Sequence, residues 1–119
     1  MPSVNDQEDP KVPAGLPSLI DAHVHIFPRS IFSAIRKWFD KNAWRIRYQL
    51  TSSEIFKFLL SHGIKHIIAL QYAHKPGIAR QLNRYMAEKC GEYNNRVTGM
   101  ATVFPGENSA EKILQEAFD

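Results

Sequence analysis

Leu19-Ile20-Asp21-Ala22-His23-Val24-His25-Ile26-Phe27-Pro28 is an apolar run broken at alternate positions by groups that bind protons or metals. It is short, and it ends at Pro28, which cannot continue a hydrogen-bonded ladder, so it predicts a β-strand. Side chains two apart in a strand share a face. The pattern therefore predicts Asp21, His23 and His25 on one side and Ile20, Ala22, Val24 and Ile26 on the other, packed under helices. The polar side presents two imidazoles whose β-carbons stand roughly 6 to 7 Å apart, near enough to converge on one divalent cation at ~2.0 to 2.1 Å from each nitrogen. One buried histidine is ordinarily a hydrogen-bonded core residue, but two at this spacing opposite an apolar face point to metal ligands. Neutral imidazole suits zinc, iron, manganese and nickel, so the pair does not by itself name the metal. Asp21, one step deeper, is expected to support the ligands from behind rather than to bind the metal.

Downstream, apolar periodicity and turn residues predict an alternation of helices and strands. Ile31, Phe32, Ala34, Ile35, Trp38 and Phe39 have the spacing of an amphipathic helix, followed by a less regular piece to Leu50. Thr51-Ser52-Ser53-Glu54 is a capping box and starts a second helix, which carries Ile55, Phe56, Phe58, Leu59 and Leu60 and stops at Gly63. Ile64 to Gln71 is rich in β-branched residues and predicts a second strand, with a loop from Tyr72 to Gly77. Ile78, Leu82, Tyr85 and Met86 predict a helix to about Tyr93, Val97 to Phe104 a third strand, and Asn108 or Ser109 the cap of a last helix bearing Ala110, Ile113, Leu114, Ala117 and Phe118. Strand–helix–strand connections of this length imply parallel strands with right-handed crossovers, hence α/β architecture. Residues 1–17, with Pro2, Pro10, Pro13 and Pro17 and few large apolar groups, are expected to be a disordered or loosely draped leader, and 18–119 the domain.

With its strand in place, the segment Ile20 to Pro28 resembles the first strand of the amidohydrolase superfamily, in particular the amidohydrolase-related branch of metal-dependent hydrolases and aminocarboxymuconate-semialdehyde-type decarboxylases. In that family a His-x-His pair ends the first strand of a (β/α)8 TIM barrel, and residues 51–119 agree with its βα rhythm. The resemblance implies a divalent metal, zinc first and manganese or iron after it, held by His23 and His25. It also implies metal-activated water attacking a small-molecule substrate, or decarboxylation of a carboxylate. It further implies ligands from later strands; such a barrel needs ~250 residues, so the chain is expected to supply about three of its βα units and no complete active site. Phosphoesterase barrels also open with His-x-His and are an alternative. A truncated, non-catalytic isoform or interaction module, with unpaired sheet edges that favour homo-oligomers, is another.

The remaining histidines separate by place. His62, in the last turn of a helix, is expected to cap it, and His66, near the start of the second strand, to pack or to make a polar contact. His74 lies in the loop after that strand, on the face where such barrels keep their active sites, and with Tyr72 and Lys75 is a candidate contact for an anionic substrate. The formal charge of the 119-residue chain is only +3, with bases and acids interspersed, so nucleic acid is not an expected partner. The densest basic stretch, Arg36 to Arg47, interleaves with Trp38, Phe39 and Trp44 and reads as an amphipathic helix with a solvated face. Cys90 is the only cysteine. A reducing, cytoplasmic location is therefore expected, with no apolar run long enough to span a membrane.

Overall fold

A computed structural model describes residues 5–93 and 95–119. Three strands, β1 (Leu19–His25), β2 (Ile64–Leu70) and β3 (Val97–Gly99), form one parallel sheet in the order β1-β2-β3. The helices are α1 (Arg29–Asn42), α2 (Ser52–Ser61), α3 (Ala79–Gly91) and α4 (Ala110–Phe118). The sheet is open, with β1 and β3 as its edges. This is the arrangement of consecutive βα units in part of a (β/α)n barrel.

The predicted start of α2 is present in full. The Thr51 hydroxyl accepts from the Glu54 N–H, and the Glu54 carboxylate accepts the Thr51 N–H at 2.7 Å. Those contacts close two of the N–H groups that a helix start leaves open. Gly63, at φ 103°, then turns the chain out of the helix; a β-carbon there would lie 3.3 Å from Cβ of Val12. That close approach belongs to residues 5–17, which form no helix or strand but are tied down where the Val12 N–H donates to the His62 carbonyl at 2.7 Å and Glu8 pairs with Arg47.

The main core lies between one sheet face and helices α2 and α3. It consists of Val24, Ile26, Phe56, Ile67, Ala69, Met86 and Val97. A smaller cluster of Ala73, Ala79, Leu82 and Ile113 joins α3 to α4. Gly99 allows β3 to lie close on α3, because a β-carbon there would meet Cγ of Met86 at 2.5 Å and Sγ of Cys90 at 2.9 Å. Half-buried in this contact, the Cys90 thiol is pushed up to about 11 by desolvation. Native alkylation of Cys90 by iodoacetamide at pH 8 is therefore expected to run about two orders of magnitude slower than in the unfolded chain, because only the thiolate attacks. The rate should rise about tenfold per pH unit toward pH 11; a native rate equal to the unfolded one would place the thiol outside the core.

Four expectations are corrected. The first helix does not pack on the sheet: α1 buries none of its residues, and Trp38 is 57% exposed. Because α2 takes the crossover position against β2, α1 is an insertion in the β1–α2 connection, on the side of the sheet where the carboxyl ends of the strands lie. The third strand ends at Gly99 rather than Phe104. Its partner β2 ends at Leu70, and after the Met100 N–H donates to the Ala69 carbonyl no ladder remains to extend. The last helix has Ser109 at its N-cap but no side-chain cap bond, and of its apolar stripe only Ile113 is buried.

The fourth correction concerns β1. Leu19 pairs with Ile64; the register shifts at once, so that Ile20 pairs with His66 and Asp21 with Ile67, and shifts back so that Val24 pairs with Ala69 and His25 with Leu70. From Asp21 to Val24, β1 uses one residue more than β2, which is a β-bulge. Strict alternation fails across it. Val24 and Ile26 are buried as expected, but Ile20 sits opposite His66 and is 59% exposed.

Candidate metal centre

His23 lies within the bulge and His25 just beyond it, and their rings meet at the carboxyl end of β1. Nε2 of His23 and Nε2 of His25 lie 3.1 Å apart, with ring centroids at 4.9 Å and planes at 71°. Both residues are exposed on the sheet face that no helix covers. Without a metal, the 3.1 Å approach is a hydrogen bond in which one ring donates its Nε2–H and the other accepts. With both rings carrying the proton on Nδ1, both Nε2 lone pairs are free to bind a cation. For bonds of about 2.05 Å, a separation of 3.1 Å subtends about 98° at a shared cation. The donor set therefore fits a divalent metal.

Aromatic groups fix one of the two rings. Phe27 stacks on His25 with centroids 5.9 Å apart and planes at 6°, and Tyr72 meets His25 edge-on at 5.8 Å. Phe27 and Tyr72 also touch each other, at 5.2 Å. Burial, followed by the neighbouring His23, lowers the His25 pKa from the ordinary imidazole value. Both effects favour the neutral, metal-binding form. Sequence reasoning placed Tyr72 near the site but passed over Phe27; its position two residues after His25, on the same strand periodicity, is the signal that finds it.

The other candidates fall around the pair at different distances. Asp21 lies at the bulge, opposite Ile67, and its carboxylate accepts the His23 backbone N–H at 3.2 Å. It thus braces the main chain of a candidate ligand, and among the described residues it makes no contact with either imidazole. His74 and Lys75 are exposed in the loop after β2, and no contact joins them to the pair. That loop is held at Gly77, whose N–H donates to Glu107 at 2.8 Å. His62 caps α2 as expected: its Nδ1 donates to the Phe58 carbonyl at 2.7 Å, and its ring stacks on Phe58. His66 makes the expected polar contacts, with Asn95 O at 3.1 Å from Nδ1 and the Thr98 hydroxyl at 2.8 Å from Nε2.

On the other side of Phe27 a cleft of about 750 Å³ runs between α1 and the start of α2, lined by Phe27, Arg29, Phe32, Arg36, Ser53 and Lys89 among others. Arg36 is positioned there by its Phe32 ring contact at 4.0 Å and by donation to the Leu50 carbonyl at 3.0 Å. Both histidines of the pair are exposed on the sheet, His25 partly screened by Phe27 and Tyr72.

Among the described residues no cluster of three or more His, Cys, Asp or Glu side chains is placed to hold a metal ion. No described helix is long and apolar enough to cross a membrane. Comparison with protein-family models, curated proteins and solved structures finds no match for this chain. What the coordinates establish is a small α/β domain of parallel strand–helix units with an open sheet, consistent with part of a TIM-like barrel.

Proposed function

We propose that this chain carries the opening portion of a metal-dependent hydrolase centre, with His23 and His25 as ligands of a divalent cation, zinc before manganese or iron. The observation that supports this reading is the 3.1 Å convergence of the two Nε2 atoms at the carboxyl end of a strand in parallel α/β architecture. In barrels of this class that end of the strands is where chemistry is placed. A bound metal would supply Lewis acidity there, lowering the pKa of a bound water toward about 7 and polarising a carbonyl.

The chain's own groups then have distinct tasks. His23 and His25 hold the cation through Nε2. Phe27 and Tyr72 restrict the His25 ring to one orientation, and Asp21 holds the His23 backbone. Arg29 and Arg36, across the Phe27 ring in the cleft, suit a small-molecule substrate with an anionic group, with His74 and Lys75 as more distant contributors. Decarboxylation of a carboxylate is compatible with the same layout, and so is phosphoester hydrolysis.

His23→Ala tests the assignment. Removing a partner that merely orients a ligand costs about 10–100-fold in metal affinity. Deleting a ligand is expected to cost at least that in zinc binding measured by calorimetry at pH 7.5, and to abolish zinc-dependent hydrolysis wherever the wild-type protein shows it. Unchanged zinc affinity, or full zinc-dependent turnover in the variant, would refute the role of His23. A second reading, a non-catalytic interaction module, draws its support from the uncovered sheet face, where Ile20 is 59% exposed.

A further inference from the structure

The histidine pair and the uncovered sheet face are one surface. By register, Ile20 lies beside His66, and His25 beside Leu70; His66 in turn bonds Thr98 across to β3. Tyr72, 45% exposed, extends the same face beside the pair. Its β2 positions 66, 68 and 70 are His, Ile and Leu and its β3 position 98 is Thr, with Lys65 and Arg96 lining a cavity beside Ile20 and His66 at its amino-terminal edge. A contiguous apolar face of this kind marks an association surface.

The metal chemistry chooses the partner. Zinc takes four ligands in tetrahedral array, and the described part of the chain offers two. A two-fold axis through the metal repeats one patch on both partners, so a second copy brings the missing two imidazoles together with a matching apolar surface. Packed sheets stand about 10 Å apart, a gap that imidazoles reaching inward from both faces can bridge. The cations nearest the face, Lys65 and Arg96, lie at the amino-terminal edge of the strands, away from the histidine pair at the carboxyl end.

We infer that two copies of this chain share one zinc ion through His23 and His25 of each, burying the open sheet faces against one another. This inference rests on the metal reading proposed above and adds regulation to it. Four imidazoles make a closed site, whereas hydrolytic zinc keeps a position open for water or substrate. The shared-metal dimer is therefore the silent form of the centre, and exchange of the partner's imidazoles for other ligands is what opens it.

The test combines mass and metal content of the 119-residue chain, measured by size exclusion with light scattering and by zinc titration, with and without a chelator. The expected result is a doubling of the 13.6 kDa mass on zinc addition, at one zinc per two chains, reversed by the chelator. His23→Ala should abolish the doubling, while His66→Ala, which removes an imidazole of the same face but outside the pair, should leave it intact. One zinc per chain with no change in mass overturns the dimer and leaves the histidine pair as a metal site. A dimer indifferent to zinc and to His23→Ala overturns it as well, as does loss of the zinc-induced doubling in His66→Ala. No zinc uptake at all overturns both the dimer and the metal reading beneath it.

Discussion

Phe56→Ala is expected to destabilise the fold by about 3 to 5 kcal/mol, the range for removing a fully enclosed aromatic side chain. Phe56 is 0% exposed, lies at the centre of the cluster formed by Val24, Ile26, Ile67 and Met86, and meets the Tyr93 ring edge-on at 5.2 Å. The lost contacts come from the sheet and from α2 and α3 together, so no single element can close the void. Total stabilities of domains are only about 5 to 15 kcal/mol, and a domain with an uncovered sheet face has little in reserve. Urea denaturation of the chelator-treated chain reads the effect. The comparison variant is Trp38→Ala on α1, a larger ring that is 57% exposed, for which a cost within about 1 kcal/mol is expected. If the two variants cost the same, the core is not where the structure puts it.

Asn83→Ala should have the second large effect, through polar groups instead of apolar ones. Asn83 is 8% exposed; its Nδ2 donates to the Thr102 carbonyl at 3.0 Å, and its Oδ1 accepts the Thr102 N–H at 2.8 Å. The Thr102 hydroxyl in turn accepts the Ala73 N–H at 3.1 Å. One amide thus substitutes for a strand partner where β3 has run out of ladder, and it links α3 to the loops that leave β2 and β3. Alanine would leave a buried N–H and a buried C=O unpaired, each costing about 1 to 3 kcal/mol, so a loss of roughly 2 to 6 kcal/mol is expected. Faster hydrogen exchange at the Thr102 amide would locate it. A cost below about 0.5 kcal/mol with unchanged Thr102 protection would show that the pairing carries no weight.

These two residues illustrate how differently parts of the molecule are encoded. Phe56 sits in a helix whose beginning is written locally, in the reciprocal bonds of Thr51 and Glu54, and whose end is marked by Gly63. Its apolar spacing therefore indicates an inward face before any partner is known. Asn83 carries no such mark. In sequence it is a polar residue between Leu82 and Arg84, and only the end of β2 at Leu70 creates the buried backbone that it serves. The sequence overstates the length of β3 for the same reason, since Met100 to Phe104 is suitable strand sequence without a strand to pair with.

The candidate site divides along similar lines. The His-x-His spacing is sufficient to put two imidazoles on one side of a strand, because pleat alternation is a local property, and the 3.1 Å approach of their Nε2 atoms follows from it. Alternation could not carry the argument back to Asp21 and Ile20. An extra residue between Asp21 and Val24 interrupts it, and a bulge depends on the register with β2, which is not written in β1. The stacking of Phe27 and Tyr72 on His25 likewise needs the end of β1 and the loop after β2 to meet.

The amino-acid sequence alone determined the order of strands and helices, the limits of α2 and the pairing of His23 with His25, all of which arise from contacts within a few residues. Tertiary structure decided that α1 stands off the sheet, that β1 bulges, that β3 stops early and that one face of the sheet is left uncovered. Each of these depends on which backbone groups and apolar surfaces find partners far along the chain, and those partners exist only once the sheet has formed.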